Sequence, residues 1–250
     1  MQVLVGLGNP GRQYEGHRHN VGFMALDLIA ARYGAPKWKE RANALVSECR
    51  IGGDKVVLVK PQSFMNRSGQ PLRNVLDFWK LKAEAVTVFY DELDLQPAKV
   101  RIKRGGGSGG HNGIKSMDAH IGQNYRRVRI GIGHPGHKDR VSGYVLHDFA
   151  KDERAKLNVL MSAMADNLQR LLDGDESGFM SLSMQAIAPD RNSARLKSKP
   201  PETPGSGPSQ RSVEPASLPP ATIGKGPPTA LGAALSRLLN RNANKKTDKD

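Results

Sequence analysis

The stretch Gln2-Val3-Leu4-Val5-Gly6-Leu7-Gly8-Asn9-Pro10-Gly11 decides the fold. Residues 2–7 form a short apolar run that stops at glycine and proline, the pattern of a buried strand. VGFMALDLIAARYG follows at 21–34, with Met24, Leu28 and Ile29 at helical spacing and Gly34 as the stop signal. The alternation continues along the chain. ALVSECRI (44–51) and KVVLVK (55–60) are β-rich and joined by Gly52, Gly53 and Asp54, which predicts a hairpin. Ser68 opens a helix with Leu72, Val75, Leu76 and Trp79 inward, and VTVFYD (86–91) is another buried strand. KVRIKR (99–104) and RRVRIGIG (126–133) alternate like strands with one wet face, on either side of a helix at 112–122. A last amphipathic helix spans 152–172. The expected fold is α/β: a single domain with a mixed, mostly parallel twisted sheet flanked by helices.

The chain has 250 residues and a formal net charge of +14, a sign that favours polyanionic partners. Composition changes near residue 190. Residues 191–250 hold nine of the 16 prolines, no aromatic residue, and eleven Lys and Arg against four Asp and Glu. Half of the excess charge therefore lies in a Pro-rich basic tail that is expected to be mostly disordered, with a short amphipathic helix at 229–241. The domain is expected to span 1–190. A lone cysteine, Cys49, excludes an intramolecular disulfide and a multi-Cys zinc site, and fits a reducing, cytoplasmic setting. No run of about 18 apolar residues is present, so no membrane span is expected, and the N-terminal MQVLVGLGNPG has neither a basic n-region nor a long h-region, so no signal peptide is expected.

Four polar clusters carry the candidate chemistry. Residues 6–11, GLGNPG, match the dinucleotide fingerprint G-x-G-x-x-G, but RQYEGHRHN follows instead of a helix, and no acid closes a second strand. A tight turn explains the glycines. It leaves Asn9 unexplained at a strand's C-terminal end, where α/β sheets place ligands. His17-Arg18-His19-Asn20 offers Asn20 as a helix N-cap and His19 as either a helix-end residue or a base. No spaced set of Cys or His completes a metal site there. Asp91-Glu92-Leu93-Asp94 is a solvated turn, an ion site or a carboxylate partner for a histidine; periodicity does not choose. The run Gly105 to Gly113 has six glycines in nine residues and is no Walker loop. It is either a flexible surface loop or a cleft wall presenting Asn112.

These residues together resemble the bacterial peptidyl-tRNA hydrolase family. The match comprises GLGNPG at 6–11, Tyr14 with RHN at 18–20, P-x-x-F-M-N-x-S-G at 61–69, DELD at 91–94, GGGSGGHNGIKS at 105–116 and RIGIGHPG at 129–136. It covers about 185 residues. His17 departs from it, standing where a threonine is usual. The resemblance implies cleavage of the ester between a peptide and the 3′-terminal ribose of tRNA, which recycles tRNA dropped from the ribosome. It implies a monomer with no cofactor and no metal. It makes His19 the base that activates water, Asp91 its partner, and Asn9 an orienting amide at the ester. It assigns Tyr14, Phe64, Asn66 and Asn112 to substrate binding, and Lys103, Arg129 and Lys138 to the tRNA. The segment 133–144 is a possible lid. Two rivals stand beside it: a non-catalytic RNA-binding relative, and a nucleotide-cofactor enzyme on the GLGNPG turn.

The tail lies outside these motifs. A chain ending near residue 190 should keep the Tm and the kcat on peptidyl-tRNA of the full-length protein. It should bind tRNA more weakly at low salt only, because diffuse attraction is screened near physiological ionic strength. Melting curves, turnover and tRNA affinity at two salt concentrations check this.

Overall fold

The computed structural model describes residues 1–187; the tail at 191–250, with the helix expected at 229–241, lies outside the described residues. The elements in chain order are β1 (Gln2–Gly6), α1 (Val21–Arg32), β2 (Lys39–Arg41), β3 (Ala44–Ile51), β4 (Asp54–Pro61), α2 (Gly69–Trp79), β5 (Val86–Glu92), β6 (Val100–Arg104), α3 (Asn112–Ile121), β7 (Arg126–Gly131), α4 (Val141–Val145), α5 (Lys151–Asp166), α6 (Leu168–Leu172) and α7 (Glu176–Gln185). They build one sheet in the order β2-β3-β4-β1-β5-β7-β6. The central strands β4, β1, β5 and β7 are parallel. Antiparallel β2 and β3 close one flank and antiparallel β6 the other.

Helices cover both faces, which is why the central strands are apolar without alternation. On one face Leu4, Leu58, Phe89 and Val128 pack against Leu26 and Ile29 of α1, Leu160 and Met164 of α5, and Phe179 of α7. On the other, Val3, Val5 and Val88 pack against Leu72 and Leu76 of α2 and Ile114 and Met117 of α3. The chain leaves β1 toward β4 and later returns to β1's other side as β5. Order reverses at β1, and the crevice beyond its C-terminal end is where such sheets hold ligands.

Three expectations change. Both faces of β7 are covered: Arg126 and Arg127, which point to opposite faces, are both buried. Arg126 donates to the Leu171 carbonyl at 2.6 Å and pairs with Glu176. The helix at 152–172 is broken at Asn167, whose Nδ2 bonds back to the Ala163 carbonyl at 2.8 Å. Helix α7 has no counterpart in the sequence reading, because its three serines and Gly178 dilute any apolar stripe. Asp175 caps it by accepting from Gly178 N at 2.8 Å.

One close approach sets the geometry of the site. A β-carbon on Gly22 would collide with the Phe89 carbonyl and the Leu7 backbone, and one on Gly6 with the Gly22 carbonyl. Only a residue without a side chain lets the first turn of α1 sit directly on the ends of β1 and β5. Gly22→Ala should therefore destabilise the protein by at least about 1–3 kcal/mol, the range for overpacking a rigid contact. Denaturant unfolding beside Ala25→Gly, a loss of bulk on the same helix, checks that the cost comes from the collision.

Candidate active site

Beyond β1 the chain is held by backbone bonds from Leu7 N to the Phe89 carbonyl (3.0 Å) and from Phe23 N to the Leu7 carbonyl (3.2 Å). The second bond uses an amide of the first turn of α1. Asn20 stands at the expected cap position, yet its side chain makes no capping bond. Instead it clasps Asn9: Asn20 Nδ2 donates to the Asn9 carbonyl at 2.8 Å and Asn20 Oδ1 accepts from Asn9 N at 2.9 Å. Asn9 Oδ1 in turn accepts from Met65 N at 2.8 Å. The orientation of the carboxamide follows, since its oxygen is taken and its Nδ2 has no partner among the described residues.

His19, one residue before that clasp, meets Asp91 at the end of β5. Its Nδ1 lies 2.9 Å and 3.0 Å from the two carboxylate oxygens. His111 reaches the same carboxylate, with Nε2 at 3.0 Å from Oδ1. The tautomer of His111 is fixed by its other nitrogen. Nδ1 accepts from Gly113 N and Ile114 N at 3.1 and 3.3 Å, capping α3, so Nε2 carries the proton that goes to Asp91. His19 donates from Nδ1, and its Nε2 has no partner among the described residues. The sequence reading missed His111 as a member of the centre. Its place at the junction between a glycine run and a helix was the available signal.

Burial pushes the His19 imidazole down, but the Asp91 charge and hydrogen bond outweigh it and hold the ring above its ordinary value. Burial likewise pushes Asp91 up, and the two histidines overcome it, so the carboxyl sits well below the usual range. The ring of Tyr90 stands edge-on to His111 at 5.0 Å, and burial drives its phenol up to about 12. His19, Asp91 and His111 are also the one group of ligand-type side chains close enough to share an ion among the described residues. Each histidine is engaged by an N–H···O bond to Asp91. The other ion readings do not assemble here: Glu92 pairs with Arg129 at 2.8 Å and His17 faces Asp148 at 4.0 Å.

The remaining candidates fall into two groups. Asn66 is exposed one residue beyond Met65, and Asn112 is exposed one residue beyond His111, so both sit at the rim of the centre. Tyr14 meets Phe64 edge-on at 6.4 Å, and Phe64 is 59% exposed, an apolar ring that folding has not used. The cations are more dispersed. Lys103 lies opposite Arg127, and Arg129 lies opposite Arg101, so Lys103 and Arg129 share a face two ladder positions apart. Arg129 is already paired with Glu92, which raises its pKa further against the effect of burial. Lys138 is exposed in the segment after β7. At the place of the departure from the family pattern, His17 Nδ1 is buried without a partner, and the ring lies 5.3 Å from Tyr14.

Fold and site define a three-layer α/β protein whose polar centre, beyond the switch strand, is a hydrogen-bonded histidine–carboxylate pair. A family model described as peptidyl-tRNA hydrolase matches residues 3–192. The chain is 55% identical over 226 residues to a peptidyl-tRNA hydrolase of Chelativorans sp., covering 83% of this chain and 95% of that one. It is 54% identical over 187 residues to that of Mesorhizobium japonicum, covering 75% and 78%. The crystal structure of peptidyl-tRNA hydrolase from Acinetobacter baumannii superposes with a TM-score of 0.69 at 38% identity, covering 73% of this chain and 94% of that one. The chain belongs to the peptidyl-tRNA hydrolase family. Among the described residues, no helix is long and apolar enough to cross a membrane.

The two opposing influences on His19 can be separated. In Asp91→Asn the charge is gone while burial remains, so the ring should titrate below about 6.5 instead of above it. NMR titration of the His19 ring in both proteins checks the sign. A midpoint unchanged by the substitution would show that Asp91 does not hold the proton there.

Proposed function

We propose that the protein hydrolyses the ester joining a peptide to the 3′-terminal ribose of tRNA, with water as the nucleophile and His19 as general base. The observation that supports this most is the His19–Asp91 pair with Nε2 unengaged, beside an Asn9 amide whose donor is unengaged. Water is a poor nucleophile near neutral pH, and imidazole is matched to the task of taking its proton. As the proton moves to Nε2, the ring becomes a cation, and the buried Asp91 carboxylate stabilises it without accepting the proton. Negative charge grows on the carbonyl oxygen at the same moment. Asn9 Nδ2, aimed by the bond from Met65 N and the Asn20 clasp, is the donor suited to meet it.

Asn66 and Asn112 would bind the peptide and ribose edges with paired donors and acceptors. Tyr14 and Phe64 would supply the apolar contact. Lys103, Arg129 and Lys138 would hold phosphate, and such contacts position an RNA without reading its sequence. We read the protein as a cytoplasmic monomer that returns tRNA from prematurely released peptidyl-tRNA, with a catalytic domain at 1–190 and a tail that adds only diffuse attraction.

His19→Ala should fold normally and lose about 10²-fold or more in kcat on peptidyl-tRNA, the range for a general base. Asp91→Asn should lose less, because the ring keeps a hydrogen-bond partner. Turnover near that of the wild type in His19→Ala would sink the mechanism, and retained tRNA binding without turnover in the wild type would favour the non-catalytic reading.

A further inference from the structure

Arg127, the second residue of β7, is the largest of the side chains sealed from solvent among the described residues, at 0% exposure. A buried guanidinium is costly unless every strong donor is met. Its Nε is buried without a partner, and its two Nη groups are met in a specific way. Nη1 donates to the Gly107 carbonyl at 3.0 Å, and Nη2 donates to Asp118 Oδ1 at 2.7 Å. Tyr125 completes the cluster: its hydroxyl donates to the same Asp118 oxygen at 2.6 Å, and its ring centroid lies 4.7 Å from the guanidinium carbon.

The two acceptors lie on either side of His111. Gly107 is four residues before it, in the glycine run between β6 and α3, and Asp118 is seven residues after it, on α3 itself. The run has little to hold it in place. Gly105, Gly106, Gly109 and Gly110 all take positive φ, and glycine in that state keeps its freedom when contacts are lost. Among the described residues, the bond from Arg127 is the one hydrogen bond that ties residues 105–110 to another element; the remaining bond there, from His111 N to the Ser108 carbonyl at 3.0 Å, is local. The segment must nevertheless deliver His111 Nε2 to within 3.0 Å of Asp91.

We propose that Arg127 is a positioning residue for the reaction: its fork clamps both flanks of His111 and thereby holds the third member of the centre on the Asp91 carboxylate. A guanidinium spreads its donors over separate nitrogens in a fixed plane, so Nη1 and Nη2 reach two acceptors that lie apart, whereas an ammonium gathers its three donors on one nitrogen. The effect on turnover rests on the hydrolysis proposed above; the clamp on the loop does not.

Arg127→Lys is the discriminating variant. It keeps a cation for Asp118, so no buried carboxylate is stranded, and it gives up the Gly107 bond. Backbone amide order parameters over residues 105–110 should fall in this variant and stay unchanged in the core strands. Its kcat on peptidyl-tRNA should drop about ten-fold, with KM within about two-fold of the wild type. In a His111→Ala background, the same substitution should change kcat by less than about two-fold, because residues acting through one another are not additive. Equal fold losses in both backgrounds, or unchanged order parameters, would overturn the proposal. Should Arg127→Lys fail to fold, Arg127→Met with Asp118→Leu replaces the pair by apolar groups and allows the same two measurements. If the wild type itself hydrolyses no peptidyl-tRNA, the proposed function falls, and the order parameters alone decide whether the clamp stands.

Discussion

The rest of the site depends on a single buried carboxylate. Asp91 is 3% exposed near the end of a strand that is otherwise mostly apolar, in a place where an unpaired charge would be untenable. Two histidines from different parts of the chain satisfy it. One precedes α1 and one precedes α3, so the carboxylate joins three separate segments at one point. The histidines are not equivalent. His111 has both nitrogens committed, one to its helix and one to Asp91, and acts as a fixed donor. His19 has one nitrogen committed and one unengaged. The asymmetry makes His19 the histidine whose second nitrogen can change state without breaking a bond of the fold.

Bringing His19 to Asp91 is a problem of backbone distance before it is one of charge. Gly22 and Gly6 solve it by letting α1 begin in contact with the strand ends. Arg18 then fixes the segment from the other side. Its guanidinium donates to the His147 and Asp148 carbonyls at 3.3 and 2.8 Å, and to Glu153 at 2.7 Å, while stacking 4.2 Å over the ring of Tyr144. His19 is thus flanked by a residue that grips the segment before α5 and by Asn20, which grips Asn9. The same four-residue stretch carries His19, its tether and the clasp on the amide. Packing on both sides holds the ring in place.

How legible this was in the sequence depended on whether a signal was local. Strand β1, helix α1, the hairpin of β3 and β4, and strand β5 were readable because apolar period, turn residues and stop signals agree within each segment. The sheet's central order was not readable from the residues, since register and neighbours depend on packing between distant parts. Arg126 and Arg127 misled for a related reason. A charged residue on a strand signals water when its partner is unknown, and the partners, Glu176 and Asp118, are both remote in sequence or hidden in a helix. At the site, the residues themselves were visible as motifs, but periodicity left Asp91 open among three roles, and the resemblance to a family chose one. Asn20 was assigned to the right position with the wrong bond, because a cap and a clasp use the same side chain and differ only in which backbone is nearer.

The internal use of arginine also changes what the positive charge of the body can do. Arg18, Arg126, Arg127 and Arg129 each pair with a carboxylate inside the fold, so these cations add structure and little surface potential. Long-range attraction depends on net charge and survives such pairing, since each pair counts as zero. Short-range contact with phosphate needs donors that are not already spent. Lys138 is exposed, Lys103 half-buried, and Arg129 shares its guanidinium with Glu92. A phosphate reaching Arg129 must compete with that carboxylate, which costs affinity and restricts the direction of approach. Anion binding on this surface therefore favours lysines that carry no ion pair among the described residues over arginines already spent on the fold.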